Sequence, residues 1–150
     1  MASLWQFRRD WIVAASPEDV YAVCADIDAY PTWWREIRSI RRIDADTGLA
    51  TIRSVLPYGL HLRMTRELQD PVDRRLRTGL AGDLTGWAEF HIEAAAGGHS
   101  AVAYRQDVEV TAPVLGRVAP LFGPLLRANH GVMMRSCERG MAALLEQPLG

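Results

Sequence analysis

The apolar residues of this chain change their periodicity once, near Pro113. Before that position apolar and polar side chains alternate in a series of short segments, of which Trp5–Val13 is the first. After it, apolar residues recur at steps of three and four as far as Leu144. Alternation is the pattern of a half-buried strand, and the longer spacing is that of an amphipathic helix. The order predicts an α+β fold in which an antiparallel sheet precedes one long C-terminal helix.

Turn-forming residues divide the alternating region into about seven strands. Asp70 and Pro71 close one of them, and Gly97 and Gly98 form a tight turn between the last two. The expected strands are Trp5–Val13, Ile37–Ile43, Leu49–Leu56, Leu60–Arg66, Arg75–Leu80, Leu84–Ala95 and Ala101–Thr111.

Two short helices are expected between the first and second strands. Ser16 is a suitable N-cap and Pro17 suits the first helical position. This helix ends before Pro31, because the residue ahead of a proline resists helical angles, and Pro31 can begin the second helix. The C-terminal helix should run straight from near Leu125, since Pro124 breaks or kinks its beginning.

The bulk composition limits what the chain can do. Its 150 residues suit one domain, 1–150, and the formal net charge of −1 provides no field that would gather nucleic acid. All 17 basic residues are Arg, which excludes lysine Schiff-base chemistry. Cys24 and Cys137 show no spacing of metal ligands, so no metal is expected, and without a nucleotide fingerprint no cofactor is expected either.

The chain also lacks the sequence signs of membrane insertion or export. Its longest apolar stretches, such as Val118–Leu126, are far shorter than the roughly 20 residues of a membrane-spanning helix. No charged-then-apolar leader pattern opens the sequence. We therefore expect a cytoplasmic protein without a transmembrane segment.

Four segments carry a resemblance to a known superfamily. Ala15–Tyr21 (ASPEDVY) followed by Asp26–Trp34 (DIDAYPTWW) resembles the helix-grip superfamily, SRPBCC, which includes START lipid-transfer domains, birch-pollen-allergen-like proteins and polyketide cyclases. Arg127–Met141 is similar to the final helix of its polyketide cyclase/dehydrase branch, and Gly82–Phe90 is similar to a strand of that branch. The resemblance implies a helix-grip fold, in which a curved sheet of about seven strands wraps the long helix.

Such an architecture leaves a space between sheet and helix, which implies a hydrophobic small-molecule ligand. Polar residues that interrupt apolar faces are the candidates for its polar contacts, and neighbouring apolar or aromatic residues are candidates for its walls. The expected ligand-binding residues are Met64, Arg66, Tyr104, Gln106, Phe122, Asn129, Met133 and Ser136.

Each polar candidate has a second interpretation. Asn129 and Ser136 could be core residues satisfied by hydrogen bonds without any ligand. A slip of one residue in strand register would return Arg66 and Gln106 to solvent. Trp33 and Trp34 either clamp the short helices onto the sheet or border the entrance of the cavity.

The evidence for catalysis in the sequence is weaker. Arg66, Tyr104 and His130 have chemistry suited to enolising or dehydrating a polyketide, and a cyclase would be favoured if Arg66, Tyr104 and a histidine lay within hydrogen-bonding reach of one point. No Ser/His/Asp order, metal cluster or phosphate-binding loop accompanies them. A binding pocket is therefore favoured over a catalytic constellation, and the catalytic residues stay unknown.

Three functions remain open. The first is binding of a lipid-like or polyketide-like molecule for transport, sensing or weak catalysis, and the second is a polyketide cyclase, aromatase or dehydratase. The third is a protein interaction module, which a collapsed cavity would favour. The apolar segment between Pro113 and Pro124 could be a lid or a peripheral membrane contact, and the chain could be a monomer or a homodimer.

Overall fold

The computed structural model describes residues 4–53, 59–111 and 123–146. Seven strands and three α-helices are present in these ranges, with short 3-10 turns at Ile27–Ala29 and Ala96–Gly98. The strands are β1 Leu4–Val13, β2 Ile37–Arg42, β3 Thr47–Ile52, β4 Leu60–Asp70, β5 Arg75–Gly82, β6 Leu84–Ala94 and β7 Ser100–Val110. The helices are α1 Pro17–Ala25, α2 Tyr30–Trp33 and α3 Gly123–Leu145. The predicted α+β helix-grip architecture is confirmed.

The seven strands form one antiparallel sheet in the order β1-β7-β6-β5-β4-β3-β2. Strands β2 to β7 each pair with the next along the chain, whereas β1 pairs with β7. Helices α1 and α2 occupy the connection from β1 to β2, which lie at opposite edges of the sheet. The sheet curves around α3, and the buried core lies between its concave face and the helices.

The local signals at the first helix act as expected. The hydroxyl of Ser16 accepts a hydrogen bond from the backbone N–H of Asp19 at 3.2 Å, and Pro17 opens α1. Helix α2 begins at Tyr30, one residue before the expected Pro31. The Tyr30 hydroxyl donates to the carbonyl oxygen of Cys24 at 2.5 Å, which ties α2 to the end of α1.

Polar contacts fix α3 against the sheet and α2. The guanidinium of Arg9 in β1 donates to both carboxylate oxygens of Glu138, with Nε–Oε1 at 3.0 Å and Nη2–Oε2 at 2.9 Å. The indole N–H of Trp34 donates to the carbonyl oxygen of Met133 at 3.0 Å. Both contacts join residues distant in sequence, so they set the position of α3 along the concave face.

At Gly140 the backbone of α3 lies in close contact with α2. A Cβ atom at this position would lie 1.8 Å from the carbonyl oxygen of Trp33, a backbone atom that has no freedom to move aside. A Cβ at Gly131, in the middle of the same helix, would have no neighbour within 4 Å. Gly140 is therefore required by packing, whereas Gly131 is not.

Neither α1, α2 nor the described part of α3 is long and apolar enough to cross a membrane. The apolar segment predicted to be a lid or a membrane contact lies, up to residue 122, outside the described residues.

Substitution of each glycine by alanine tests this packing. Gly140→Ala forces α3 away from α2 and should lower the free energy of unfolding by at least about 2 kcal/mol, a typical cost of overpacking. Gly131→Ala should raise it by up to about 1 kcal/mol, because alanine is the better helix former. Urea unfolding followed by circular dichroism measures both. Equal effects of the two substitutions would contradict the close approach.

Candidate functional site: a cavity beneath the C-terminal helix

A cavity of about 130 Å³ lies between the concave face of the sheet and α3. All seven strands and helices α2 and α3 contribute side chains to its wall. Pockets for drug-sized ligands usually enclose roughly 300–1,000 Å³, and an apolar cavity of about 150 Å³ can hold benzene. In this conformation the cavity therefore matches one aromatic ring, and a larger ligand requires its walls to move.

The cavity wall is apolar and carries no formal charge from the described residues. Its aromatic and aliphatic members include Trp5, Phe90 and Val108, and no Asp, Glu or Arg is among the described residues that line it. An empty apolar cavity costs about 24 cal/mol per Å³, or about 3 kcal/mol for this volume. That is a large part of the roughly 5–15 kcal/mol by which a typical domain is stable. The empty cavity therefore lowers the free energy of unfolding substantially.

A cluster of three polar side chains interrupts this wall. The hydroxyl of Tyr104 donates to Oε1 of Gln106, and Nε2 of His130 lies 3.1 Å from the same oxygen. An amide oxygen only accepts hydrogen bonds, so both neighbours act as donors and His130 carries its proton on Nε2. Strand β7 supplies Tyr104 and Gln106, and α3 supplies His130 from the opposite side.

His130 is held by an aromatic contact as well as by Gln106. Its ring stacks on Phe7 of β1, with ring centroids 3.7 Å apart and an angle of 14° between the planes. Burial lowers the pKa of His130 to about 4, and the nearby positive charge of Arg9 acts in the same direction. His130 is therefore neutral at pH 7 and presents Nδ1 as an acceptor.

Tyr104 is uncharged too. Its side chain is only 5% exposed, and burial raises the pKa of its hydroxyl well above the usual range. The whole cluster of Tyr104, Gln106 and His130 is consequently neutral at physiological pH. Such a cavity suits an uncharged ligand, because an ionised group would lose its hydration without meeting an opposite charge.

Five of the residues expected to bind a ligand line this cavity. They are Met64, Tyr104, Gln106, Asn129 and Met133. Asn129 is only 7% exposed and makes interactions of its own. Their contact with a ligand stays a prediction, and Phe122 lies outside the described residues.

Ser136 and Arg66 occupy other places. Ser136 donates its hydroxyl to Oε2 of the buried Glu36 at 3.0 Å, in agreement with the alternative of a core hydrogen bond. Arg66 borders a separate groove that contains Asp28 and Asp46, although it has the same strand parity as Met64. Neither residue is among those that line the cavity.

The expected convergence of an arginine, a tyrosine and a histidine is therefore formed only in part. Tyr104 and His130 meet at Gln106, whereas Arg66 borders the separate groove. Within the described ranges no group of His, Cys, Asp or Glu side chains could hold a metal ion.

Several cavity residues escaped the sequence analysis. Trp5, Phe7, Thr78 and Ala88 line the cavity but were not among the expected ligand-binding residues. The signal for Thr78 was present, because it alternates in phase with Leu76 and Leu80. Trp34 lines the cavity and also donates to the carbonyl oxygen of Met133 in α3, so its hydrogen bond is to the long helix and not to the sheet.

The chain as a whole has a match among known protein families. A family model described as polyketide cyclase / dehydrase and lipid transport matches residues 5–146. No match was found among curated proteins.

Solved structures share the fold at low sequence identity. The Zhui aromatase/cyclase from Streptomyces sp. R1128 is 12% identical, with a TM-score of 0.82 over 99% of this chain and 97% of that one. A START superfamily protein from Mycobacterium smegmatis is 20% identical, with a TM-score of 0.73 over 95% and 97%. Norcoclaurine synthase from Thalictrum flavum is 14% identical, with a TM-score of 0.64 over 95% and 87%.

The depressed pKa of His130 predicts a loss of stability in acid. As the pH falls below about 6.5, His130 becomes protonated in the unfolded chain, while in the folded chain it stays neutral until about pH 4. The stabilisation from this residue is complete above pH 6.5 and decreases by about 3 kcal/mol as the pH falls to 4. Urea unfolding between pH 7.5 and pH 4.5 should reveal this slope.

The variant His130→Gln isolates the contribution of His130 to the pH dependence of stability, because glutamine does not titrate. Its unfolding free energy should fall about 2–3 kcal/mol less than that of the wild type over the same pH range. His99→Gln, which alters an exposed histidine in a turn, should follow the wild type. Parallel curves for wild type and His130→Gln would contradict the assignment.

Proposed function

Because the chain belongs to the polyketide cyclase/dehydrase and lipid transport family, we propose that it binds an uncharged hydrophobic small molecule beneath α3. The observation that carries the proposal is the apolar cavity with its neutral polar cluster at Gln106. The cavity lowers stability by about 3 kcal/mol when empty, and a bound ligand would recover this by restoring contacts with the wall.

The form of the wall supports a ligand with an aromatic ring. Phe7 and His130 already form a stacked pair, and Phe90 meets Tyr104 edge to face with ring centroids 5.1 Å apart. The aromatic side chains of the wall can contact the ring of a ligand through their faces and through their edges. A lipid-like chain or a fused-ring polyketide exceeds about 130 Å³, so binding of either requires α3 or its neighbours to move.

The pKa values of the cluster favour binding over proton transfer. An efficient general acid or base has a pKa near the working pH. His130, with a pKa of about 4, is a weak base at pH 7, and the raised pKa of Tyr104 makes its hydroxyl a weak acid. Transport or sensing of the ligand therefore suits the cavity better than catalysis.

A cyclase or dehydratase remains the second candidate. It is favoured by the convergence of Tyr104 and His130 on Gln106, and the similar structure from Streptomyces is an aromatase/cyclase. In that function Tyr104 would donate a proton to a ketone oxygen while neutral His130 removes one from the neighbouring carbon, so that an enol forms, and Tyr104 would then regain its proton from His130. Binding in the cavity would hold the chain in a reactive shape.

Filling the cavity tests the binding proposal. Ala88 lines the cavity on β6, so Ala88→Leu should weaken the binding of toluene at least 10-fold by occupying the same space. Ala81→Leu makes the same change at an exposed position of β5 and should leave the affinity unchanged. Titrations followed by two-dimensional NMR measure the dissociation constants. The absence of saturable binding to the wild type, or equal affinities of the three proteins, would refute the proposal.

The enzyme alternative predicts turnover of a poly-β-ketone thioester by the wild type. Tyr104→Phe should then reduce kcat at least 100-fold, the lower range for loss of a general acid, while native mass spectrometry still detects toluene bound to the variant. Mass analysis of the products measures turnover. An inactive wild type, or full activity of Tyr104→Phe, would argue against this candidate.

A further inference from the structure

A row of three residues crosses the floor of the cavity on neighbouring strands. Gln106 of β7 pairs with Ala88 of β6, and Ala88 pairs with Thr78 of β5. All three line the cavity. Adjacent strands lie about 4.8 Å apart, so the backbones of Gln106 and Thr78 are about 10 Å apart with Ala88 between them. The row thus has a polar residue at each end and a methyl group in the middle.

The small residue in the middle of the row provides space. In one neighbouring row the corresponding residues are Tyr104, Phe90 and Leu76, all of which are buried. Ala88 and Thr78 keep partial exposure although they lie on the concave side of interior strands. Since both line the cavity, their accessible surface faces it. The floor is consequently open above Ala88.

The two ends of the row offer different hydrogen bonds. The carboxamide oxygen of Gln106 accepts from Tyr104 and His130, which leaves its amino group as the part of the side chain that can donate to a ligand. The hydroxyl of Thr78 can donate one hydrogen bond and accept two. An acceptor such as a carbonyl oxygen therefore suits the Gln106 end, and a hydroxyl suits the Thr78 end.

We propose that Gln106, Ala88 and Thr78 form a subsite that selects a one-ring aromatic molecule with a carbonyl group at one end and a hydroxyl at the other. The ring lies above the methyl group of Ala88, the carbonyl oxygen accepts from Gln106, and the hydroxyl bonds to Thr78. This inference rests on the proposed function and adds the ligand's size, polarity and orientation to it. The cavity volume of about 130 Å³ is close to that which holds a bare ring, so the two substituents are accommodated only if the walls move outward.

Two probes that differ by one hydroxyl test the Thr78 end. Calorimetric titration compares 4-hydroxyacetophenone with acetophenone on the wild type and on Thr78→Val, which replaces the hydroxyl by a methyl group of similar size. The substitution should weaken the binding of 4-hydroxyacetophenone about 3- to 10-fold, which is the usual contribution of one hydrogen bond. It should change the affinity for acetophenone less than about 2-fold.

Two further variants make the result specific. Thr78→Ser keeps the hydroxyl and should keep the wild-type ratio of the two dissociation constants. Thr65→Val makes the same change on the opposite face of β4, because Thr65 alternates with the cavity-lining Met64, and it should affect neither probe. Circular dichroism checks that each variant is folded.

The outcomes separate the subsite from the function on which it rests. An equal effect of Thr78→Val on both probes, no effect on either, or loss of the wild-type ratio in Thr78→Ser would overturn the subsite. The proposed function would still stand if acetophenone binds saturably to the wild type and the Ala88→Leu substitution weakens that binding. No saturable binding of either probe to the wild type would overturn both.

Discussion

The structure depends on how α3 is held against the concave face of the sheet. At Gly140 the helix backbone touches the backbone of α2, and Glu138 receives two hydrogen bonds from Arg9 of β1. Earlier in the helix, His130 meets the sheet through the ring of Phe7 and the amide of Gln106 instead of through close backbone contact. Near Gly140, α3 is therefore in direct backbone contact with α2, whereas near His130 side chains separate α3 from the sheet. The cavity occupies this separation.

This arrangement also explains why the polar cluster is neutral. Gln106 brings a buried carboxamide into an apolar wall, and its oxygen is satisfied by two donors, Tyr104 from the same strand and His130 from α3. Burial keeps His130 unprotonated and keeps the hydroxyl of Tyr104 protonated. In each case the charged form would lose its hydration. A site built in this way recognises uncharged polar groups by hydrogen bonds and provides most of its affinity through apolar contact. The same physics makes it poorly suited to proton transfer at neutral pH.

Much of the cavity wall follows from strand parity, which a single sequence reveals well. Alternation placed Met64, Tyr104 and Gln106 on the inner face, and all three line the cavity. Parity also assigned Arg66 to that face, yet it does not show how far along a strand the cavity extends. Arg66 of β4 pairs with the cavity-lining Thr78 of β5, but Arg66 itself borders the separate groove with Asp28 and Asp46. His130 lies one position away from the apolar stripe of the helix, yet its ring stacks on Phe7 and its Nε2 meets Gln106.

The sequence by itself determined the element order, the antiparallel sheet, the long C-terminal helix and the face on which most cavity residues lie. These features depend on local rules, namely the period of the apolar residues, helix capping at Ser16 and the turn residues between strands. Only the tertiary structure decided that a cavity of about 130 Å³ persists and that Tyr104 and His130 share the oxygen of Gln106. It likewise decided that Ser136 bonds to Glu36. These facts depend on distances between segments far apart in the chain, which are set by the docking of α3 and are not encoded in any local pattern.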